Sequence, residues 1–269
     1  MRTWVATCAA ALSMACAGVE EPGSQPDASS AQGGIEIEYI AHASFLLRSD
    51  DGTELLIDPY ASRVWLGYDW PDGVLPSAVL ITHPHYDHDA GRFREMTFPW
   101  GEGTPVVDGP GTYEFGDFTV TGVEGKHADP YGMEFGQLNT IMVVEAAGLR
   151  IAHLGDNGPL TPAMVDGIGR VDVLMMPGDG VDHILSKETT AEILAQLDPR
   201  VVVPMHYRLP DLEVELDSPS DLGEIEPWLE GRSGVSRVGG HIRTLSATDL
   251  PAEQMIMVFE HAPYVQRDF

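Results

Sequence analysis

From position 35 onward the chain is patterned. Ile35-Glu36-Ile37-Glu38-Tyr39-Ile40 alternates apolar and acidic side chains, the two-residue period of a strand with one face buried. Phe45-Leu46-Leu47 and Glu54-Leu55-Leu56-Ile57 flank Asp50-Asp51-Gly52, which predicts a hairpin. Ala78-Val79-Leu80-Ile81 is a continuous apolar run, as expected for a strand covered on both faces. Gly and Pro crowd positions 99–116 and predict loops and short strands. Strands are expected at Phe118 to Val123, at Thr140 to Glu145 and, after the turn Ala147-Gly148, at Leu149 to Leu154. Farther on, Val171 to Met175 and Val201 to Val203 are apolar strands. A helix from Thr189 to Leu197 lies between them, with Thr189 and Glu192 in capping-box spacing and Asp198-Pro199 as its stop. That is a β-α-β unit. Asp221 to Leu229 reads as a short helix and Met255 to Phe259 as a final strand, with no internal repeat. Many strands with few helices predict a layered α/β sandwich.

The first 34 residues carry no such period. Trp4 to Ala15 is apolar, follows Arg2 and is too short to span a bilayer, so it reads as a secretory signal. Leu12-Ser13-Met14-Ala15-Cys16 resembles a bacterial lipoprotein signal, which implies a lipid on Cys16. Glu20 to Gly34 has no large apolar residue and reads as a flexible tether. The expected organisation is a leader at 1–16, a tether at 17–34 and one globular domain at 35–269. Export to a bacterial cell envelope is expected, with membrane contact only through the lipid. The alternative is a secreted protein in which Cys16 is incidental. No later segment has 18 consecutive apolar residues.

Composition narrows the chemistry. Hydrophobic residues make up 43% of 269, enough for a packed core. Asp plus Glu is 42 against 15 Lys plus Arg, a net charge of −27, which argues against nucleic acid as a partner because phosphate backbones are held by Lys and Arg. A small-molecule substrate is the expected partner, with oligomeric state left open. The two cysteines, Cys8 and Cys16, both lie in the leader, so the domain has neither a disulfide nor a thiolate ligand. Any metal must be held by His and carboxylates.

Those groups gather in Thr82-His83-Pro84-His85-Tyr86-Asp87-His88, directly after an apolar strand. Neutral imidazoles and a carboxylate suit a borderline divalent cation such as Zn²⁺, and also Mn, Fe or Co. His83 and His85 are two apart, so an extended backbone would aim both rings to one side. Asp87 and His88 are adjacent and would serve a neighbouring cation.

This segment resembles the H-x-H-x-D-H signature of the metallo-β-lactamase superfamily. Tyr39-Ile40-Ala41-His42-Ala43-Ser44, Leu56-Ile57-Asp58-Pro59-Tyr60, His153-Leu154-Gly155-Asp156 and Pro204-Met205-His206-Tyr207 extend the resemblance over most of residues 35 to 265. It is nearest to the branch that includes L-ascorbate-6-phosphate lactonase and related Zn-dependent hydrolases. The resemblance implies a four-layer αβ/βα sandwich with its site at one edge, and two divalent cations. One would be held by His83, His85 and a third His, for which His127 is preferred over His153. The second would be held by Asp87, His88 and His206, with Asp156 bridging the two. A hydroxide shared by the cations would then attack a small ester, lactone, amide or phosphodiester, with Asp87 and Asp156 steadying it. Asp58 would orient a ligand His or pin the signature loop, and His42 would lie near the substrate. His183, in the loop after Met175-Met176, could line the pocket; Tyr131, Tyr207 and Arg208 are further candidates for substrate contact. His241 and His261 are read as structural, and Met175, Met176, Met255 and Met257 as strand core. The alternatives are a non-catalytic metal-binding surface lipoprotein, a β-lactamase and, least compatible with the charge, a nuclease.

Overall fold

The computed structural model describes residues 33–61, 66–71, 73–92, 100–128, 138–209 and 221–265. The expected leader and nearly all of the tether lie outside that set, as does Tyr131. The chain divides into two compact units, Met1–Ala31 and Gln32–Phe269, and every described residue belongs to the second.

Two sheets face each other. The first runs β13-β1-β2-β3-β4-β5 and the second β12-β14-β11-β10-β9-β8-β7-β6. In the first, β1 (Ile35–Ala41), β2 (Ser44–Arg48) and β3 (Glu54–Ile57) form an antiparallel meander. Parallel β4 (Ala78–Leu80) and β5 (Val106–Val107) continue it, and β13 (Ile242–Leu245) closes the other edge. The second opens with antiparallel β6 (Gly111–Phe115), β7 (Phe118–Lys126), β8 (Leu138–Ala146) and β9 (Leu149–His153). Ala147 and Gly148, at φ +50° and +74°, make the tight β8–β9 turn. β10 (Val173–Pro177), β11 (Val201–Met205), β14 (Met255–Val258) and β12 (Val235–Arg237) follow in parallel.

Alternation decides what each strand buries. Ile35, Ile37, Tyr39, Phe45, Leu47, Leu55 and Ile57 point inward and meet Phe118, Val120, Met142, Val144, Met175 and Val203 of the other sheet. Each such side chain contributes about 1.5–3 kcal/mol when fully buried. The alternate positions Ile141, Val143, Ala152, Leu174 and Val202 face outward and cluster with Ile168 of α1 (Pro162–Ile168) and Ile193 and Leu197 of α2 (Lys187–Leu197). β10 and β11 therefore have no solvent face, which is why they read as unbroken apolar runs. Over the first sheet, Leu46, Leu56 and Val79 cluster with Tyr60, Leu66, Tyr68 and Trp100 of the loops. The fold is an α/β sandwich of two sheets with helices packed around them.

Two helix boundaries differ from the sequence reading. Helix α2 starts at Lys187, because the Ser186 hydroxyl accepts the Thr189 N–H at 3.1 Å and so satisfies one of the free N-terminal donors. The helix expected from Asp221 shrinks to α3 (Ile225–Leu229). Its upstream backbone is engaged elsewhere: Gly223 N–H donates to Asp179 Oδ2 (2.9 Å) and Glu224 C=O accepts from Gly180 N–H (3.0 Å).

Candidate metal centre

Every candidate ligand leaves a strand at the same edge of the sandwich. His42 is in the β1–β2 turn, Asp58 follows β3, the His83–His88 segment follows β4, His127 follows β7, Asp156 follows β9 and His206 follows β11. Backbone bonds clamp the two sheets together there: His206 N–H to His42 C=O (2.9 Å) and Thr140 N–H to Thr82 C=O (2.7 Å). Several of these residues hold unusual conformations, with φ of +57° at His42, +46° at Asp58 and +62° at His206. Such strain persists only where the surroundings enforce it and concentrates at functional sites.

The side chains converge in two groups whose ligand atoms lie within 4.8 Å of one another. One contains His83, His85, His127 and Asp156; the other contains His42, Asp87, His88 and His206. Asp156 touches both groups. Its Oδ2 is 3.7 Å from His83 Nε2, 3.5 Å from His127 Nε2 and 3.3 Å from His206 Nε2, and its Oδ1 is 3.4 Å from His88 Nε2. Asp87 Oδ2 is 3.5 Å from both His88 Nε2 and His206 Nε2.

His83 and His85 share a group although their segment is not extended. It is a turn, in which His88 and Asp89 N–H both donate to His85 C=O (3.0 and 2.6 Å). Asp58 pins that turn. Its Oδ1 accepts the Thr82 N–H (2.7 Å), and its Oδ2 accepts the Thr82 hydroxyl (2.6 Å) and His88 Nδ1–H (2.7 Å). With its proton given to Asp58, Thr82 Oγ1 accepts from His83 Nδ1–H at 3.0 Å. His127 Nδ1–H donates to Ala128 C=O at 2.9 Å. In the neutral tautomer these contacts favour, His83 and His88 carry the proton on Nδ1 and aim Nε2 inward, as does His127 toward Asp156.

A cation fits those nitrogens. His83 Nε2 and His85 Nδ1 stand 3.0 Å apart, two nitrogens with at most one proton between them. His88 Nε2, His206 Nε2 and Asp156 Oδ1 are buried and have no hydrogen-bond partner among the described residues. Unsatisfied buried polar atoms are costly, and a shared cation satisfies all of them together. Electrostatics agrees. Burial pushes Asp87 up, but the neighbouring His88, His206 and His42 rings outweigh it and hold it well below the usual carboxylate range. Burial also pushes Asp156 up, but His206 and His88 outweigh it and hold it well below the usual range. Burial would lower His206, yet the Asp156 and Asp87 carboxylates raise it to about 9. His88 is likewise driven up against its burial, by Asp156, Asp87 and Asp58. The carboxylates demand positive charge at this point, as protons or as cations.

His153 lies in neither group. Its Nδ1 accepts the Gly155 N–H (3.1 Å) and its Nε2–H donates to Ala43 C=O (2.9 Å), so both nitrogens are used by backbone. His42, expected beside the substrate, is instead sealed within the second group. Its Nε2 is 3.1 Å from Asp87 Oδ2, and burial followed by the neighbouring His206 lowers it to about 3. Asp156 does not cap α1; Thr161 does, accepting the Met164 N–H at 3.3 Å. Tyr207 is buried against Tyr39 (ring centroids 6.3 Å apart), and Arg208 pairs with Glu224. His241 sits beside Glu38 (3.8 Å), and His261 Nδ1–H donates to Ala262 C=O (2.9 Å). Met175 and Met257 are core.

Sequence reading passed over Thr82, Asn139, Asn157 and Gly155. Asn139 Oδ1 accepts the Asp156 N–H (3.2 Å) and its amide donates to Leu154 C=O (2.9 Å); Asn157 Oδ1 accepts the Lys126 N–H (2.8 Å). They hold the strand ends that carry Asp156 and His127. Thr82 and Gly155 lie inside segments already singled out, so both were visible without a role, whereas Asn139 and Asn157 carried no signal.

Residues 36–206 match the family described as the β-lactamase superfamily domain. The chain belongs to the β-lactamase superfamily. A UPF0173 metal-dependent hydrolase from Deinococcus radiodurans is 31% identical over 199 residues, 64% of this chain and 84% of that protein. One from Anaeromyxobacter dehalogenans is 29% identical over 216 residues, 68% of this chain and 77% of its own length. The solved structure of a chain from Thermotoga maritima, assigned as a Zn-dependent hydrolase of the metallo-β-lactamase superfamily, matches with a TM-score of 0.61 at 28% identity, over 84% of this chain and 98% of that one. With these relatives and this site, the superfamily member is a metal-dependent hydrolase.

Proposed function

We propose that this superfamily member hydrolyses a small ester, lactone, amide or phosphodiester with the help of two divalent cations, zinc foremost. His83, His85 and His127 would hold one and Asp87, His88 and His206 the other, with Asp156 shared. The observation that carries this reading is Asp156, whose two oxygens reach imidazoles of both groups. Paired cations supply Lewis acidity, making water acidic near neutral pH and polarising a carbonyl or phosphoryl oxygen. The chain's own part is preorganisation. Asp58 and Thr82 fix the rings of His83 and His88, and the backbone of Ala128 fixes His127, so that little reorganises during reaction. His42 holds Asp87 in place from behind. The resemblance to the lactonase branch makes sugar lactones and phosphodiesters the first substrates to try.

Metal analysis by mass spectrometry with a panel of aryl esters, lactones and bis(aryl) phosphates tests this. The expected result is two equivalents of metal and turnover abolished by a chelator and restored by zinc. Metal without turnover of any panel member would favour the non-catalytic alternative. Export is a separate proposal: lipid on Cys16 would place wild type in the membrane fraction and Cys16→Ala in the soluble one, as read by fractionation.

A further inference from the structure

The metal ligands are nearly all sealed. His42, His83, Asp87, His88, His127, Asp156 and His206 are buried, and only His85 is partly open. A substrate has to approach past residues that reach both the ligands and solvent. On the side of the second group, among the described residues, His183 does so. Its ring stacks on His206 with centroids 5.7 Å apart and planes 21° from parallel, and it is partly exposed. Pro84, His85 and Tyr86 make the open side next to the first group.

The segment carrying His183 is built to hold it there. Asp179 Oδ1 accepts the N–H of His183 itself (3.0 Å), and its Oδ2 ties in the Gly223 N–H (2.9 Å). Asp179 is buried, so a charged side chain is committed to this wall. The wall has no slack: a Cβ on Gly180 would meet Pro227 at 2.7 Å, and one on Gly223 would meet Gly180 N at 2.9 Å. A carboxylate stands beside the imidazole, with Nδ1 3.5 Å from Asp221 Oδ2. A carboxylate beside one ring nitrogen favours the tautomer that carries its proton there.

We propose that His183 is a substrate-contacting residue outside the metal ligands, offering its ring nitrogen to a polar group of the substrate beside the second cation, with Asp221 as its positioning residue. The proposal rests on the two-cation reading above. It adds where the substrate lies: between the Pro84–Tyr86 turn and the His183 wall.

The test uses the full chain loaded with zinc and acetohydroxamate as a probe that binds paired metals and carries an N–H beside them. Metal content and probe affinity by calorimetry are measured for wild type, His183→Ala, His183→Gln, Asp221→Ala and Asp221→Asn. The expected result is wild-type metal content in all, with affinity down about tenfold in His183→Ala, as for loss of one hydrogen bond. His183→Gln and Asp221→Asn, which keep polar groups in place, should stay within about threefold of wild type, while Asp221→Ala falls further. Unchanged affinity in His183→Ala with metal retained overturns the proposal alone. So does loss of metal in His183→Ala, which would make the residue a prop for His206, and so does a metal-loaded wild type that ignores the probe. A wild type that takes up no metal overturns the two-cation reading, and this one with it.

Discussion

Gly155 shows how tightly single residues are constrained here. Its φ is +54°, and a Cβ would lie 2.5 Å from both Thr82 Oγ1 and Asn139 Oδ1, the atoms that orient His83 and Asp156. Gly155→Ala is expected to cost about 2 kcal/mol or more through backbone strain and to lower metal content, as read by urea unfolding and metal analysis. His127 and His153 lie in similar strand-end settings but should separate cleanly. His127→Ala should lose metal, because its Nε2 faces Asp156. His153→Ala should keep metal and lose about 1–3 kcal/mol of stability, since it strands the Ala43 carbonyl. Metal titration and thermal unfolding of the two variants side by side check both outcomes.

At the scale of elements, the site depends on a turn whose form the sequence did not disclose. The residues after β4 fold back on His85 and are held by Asp58, at the end of β3. Asp58→Asn should weaken metal binding about 10–100-fold, as for loss of a carboxylate that orients a ligand His, measured by competition with a chromophoric chelator. Ser186→Ala provides the contrast. It removes the α2 cap and should cost about 1 kcal/mol in thermal unfolding while leaving metal content unchanged. The sequence placed α2 and its stop at Asp198-Pro199 correctly but put its start at Thr189. Two hydroxyl residues within one turn both suit a cap, and only the backbone geometry at Ser186 separates them.

For the whole molecule the governing quantity is charge. In the metal-free fold His206 is raised from its ordinary 6.5 to about 9, so its contribution to stability is complete below pH 6.5 and is lost as pH rises through about 9. Asp87 and Asp156 are depressed below their ordinary 3.8, so their contribution is present above that pH and is lost only as pH falls through their lower folded values. His42 is lowered to about 3 and His83 is lowered too, so their contribution runs the other way, present above pH 6.5 and lost as pH falls below it; the metal-free chain should therefore be most stable near pH 6.5 and weaken toward pH 9 and toward acid. Metal must displace the proton on His206, so its affinity should rise with pH over 6.5 to 9 and its uptake should release protons. Calorimetry in buffers of different ionisation enthalpy measures that release. Because bound metal stabilises only the folded state, zinc should raise the melting temperature and a chelator lower it.

The sequence by itself determined most of the strands, through two-residue alternation and unbroken apolar runs, but not the exposed β12 and β13, and it determined the ligand chemistry, through a His- and Asp-rich segment in a domain without cysteine. Both are local: they depend on neighbours a few residues apart. That His42 joins the second group and backs Asp87, and that His183 overlies His206, were decided only when two sheets closed face to face and brought distant strand ends to one edge. Such meetings are set by packing and register between segments far apart in the chain, and no local pattern encodes them.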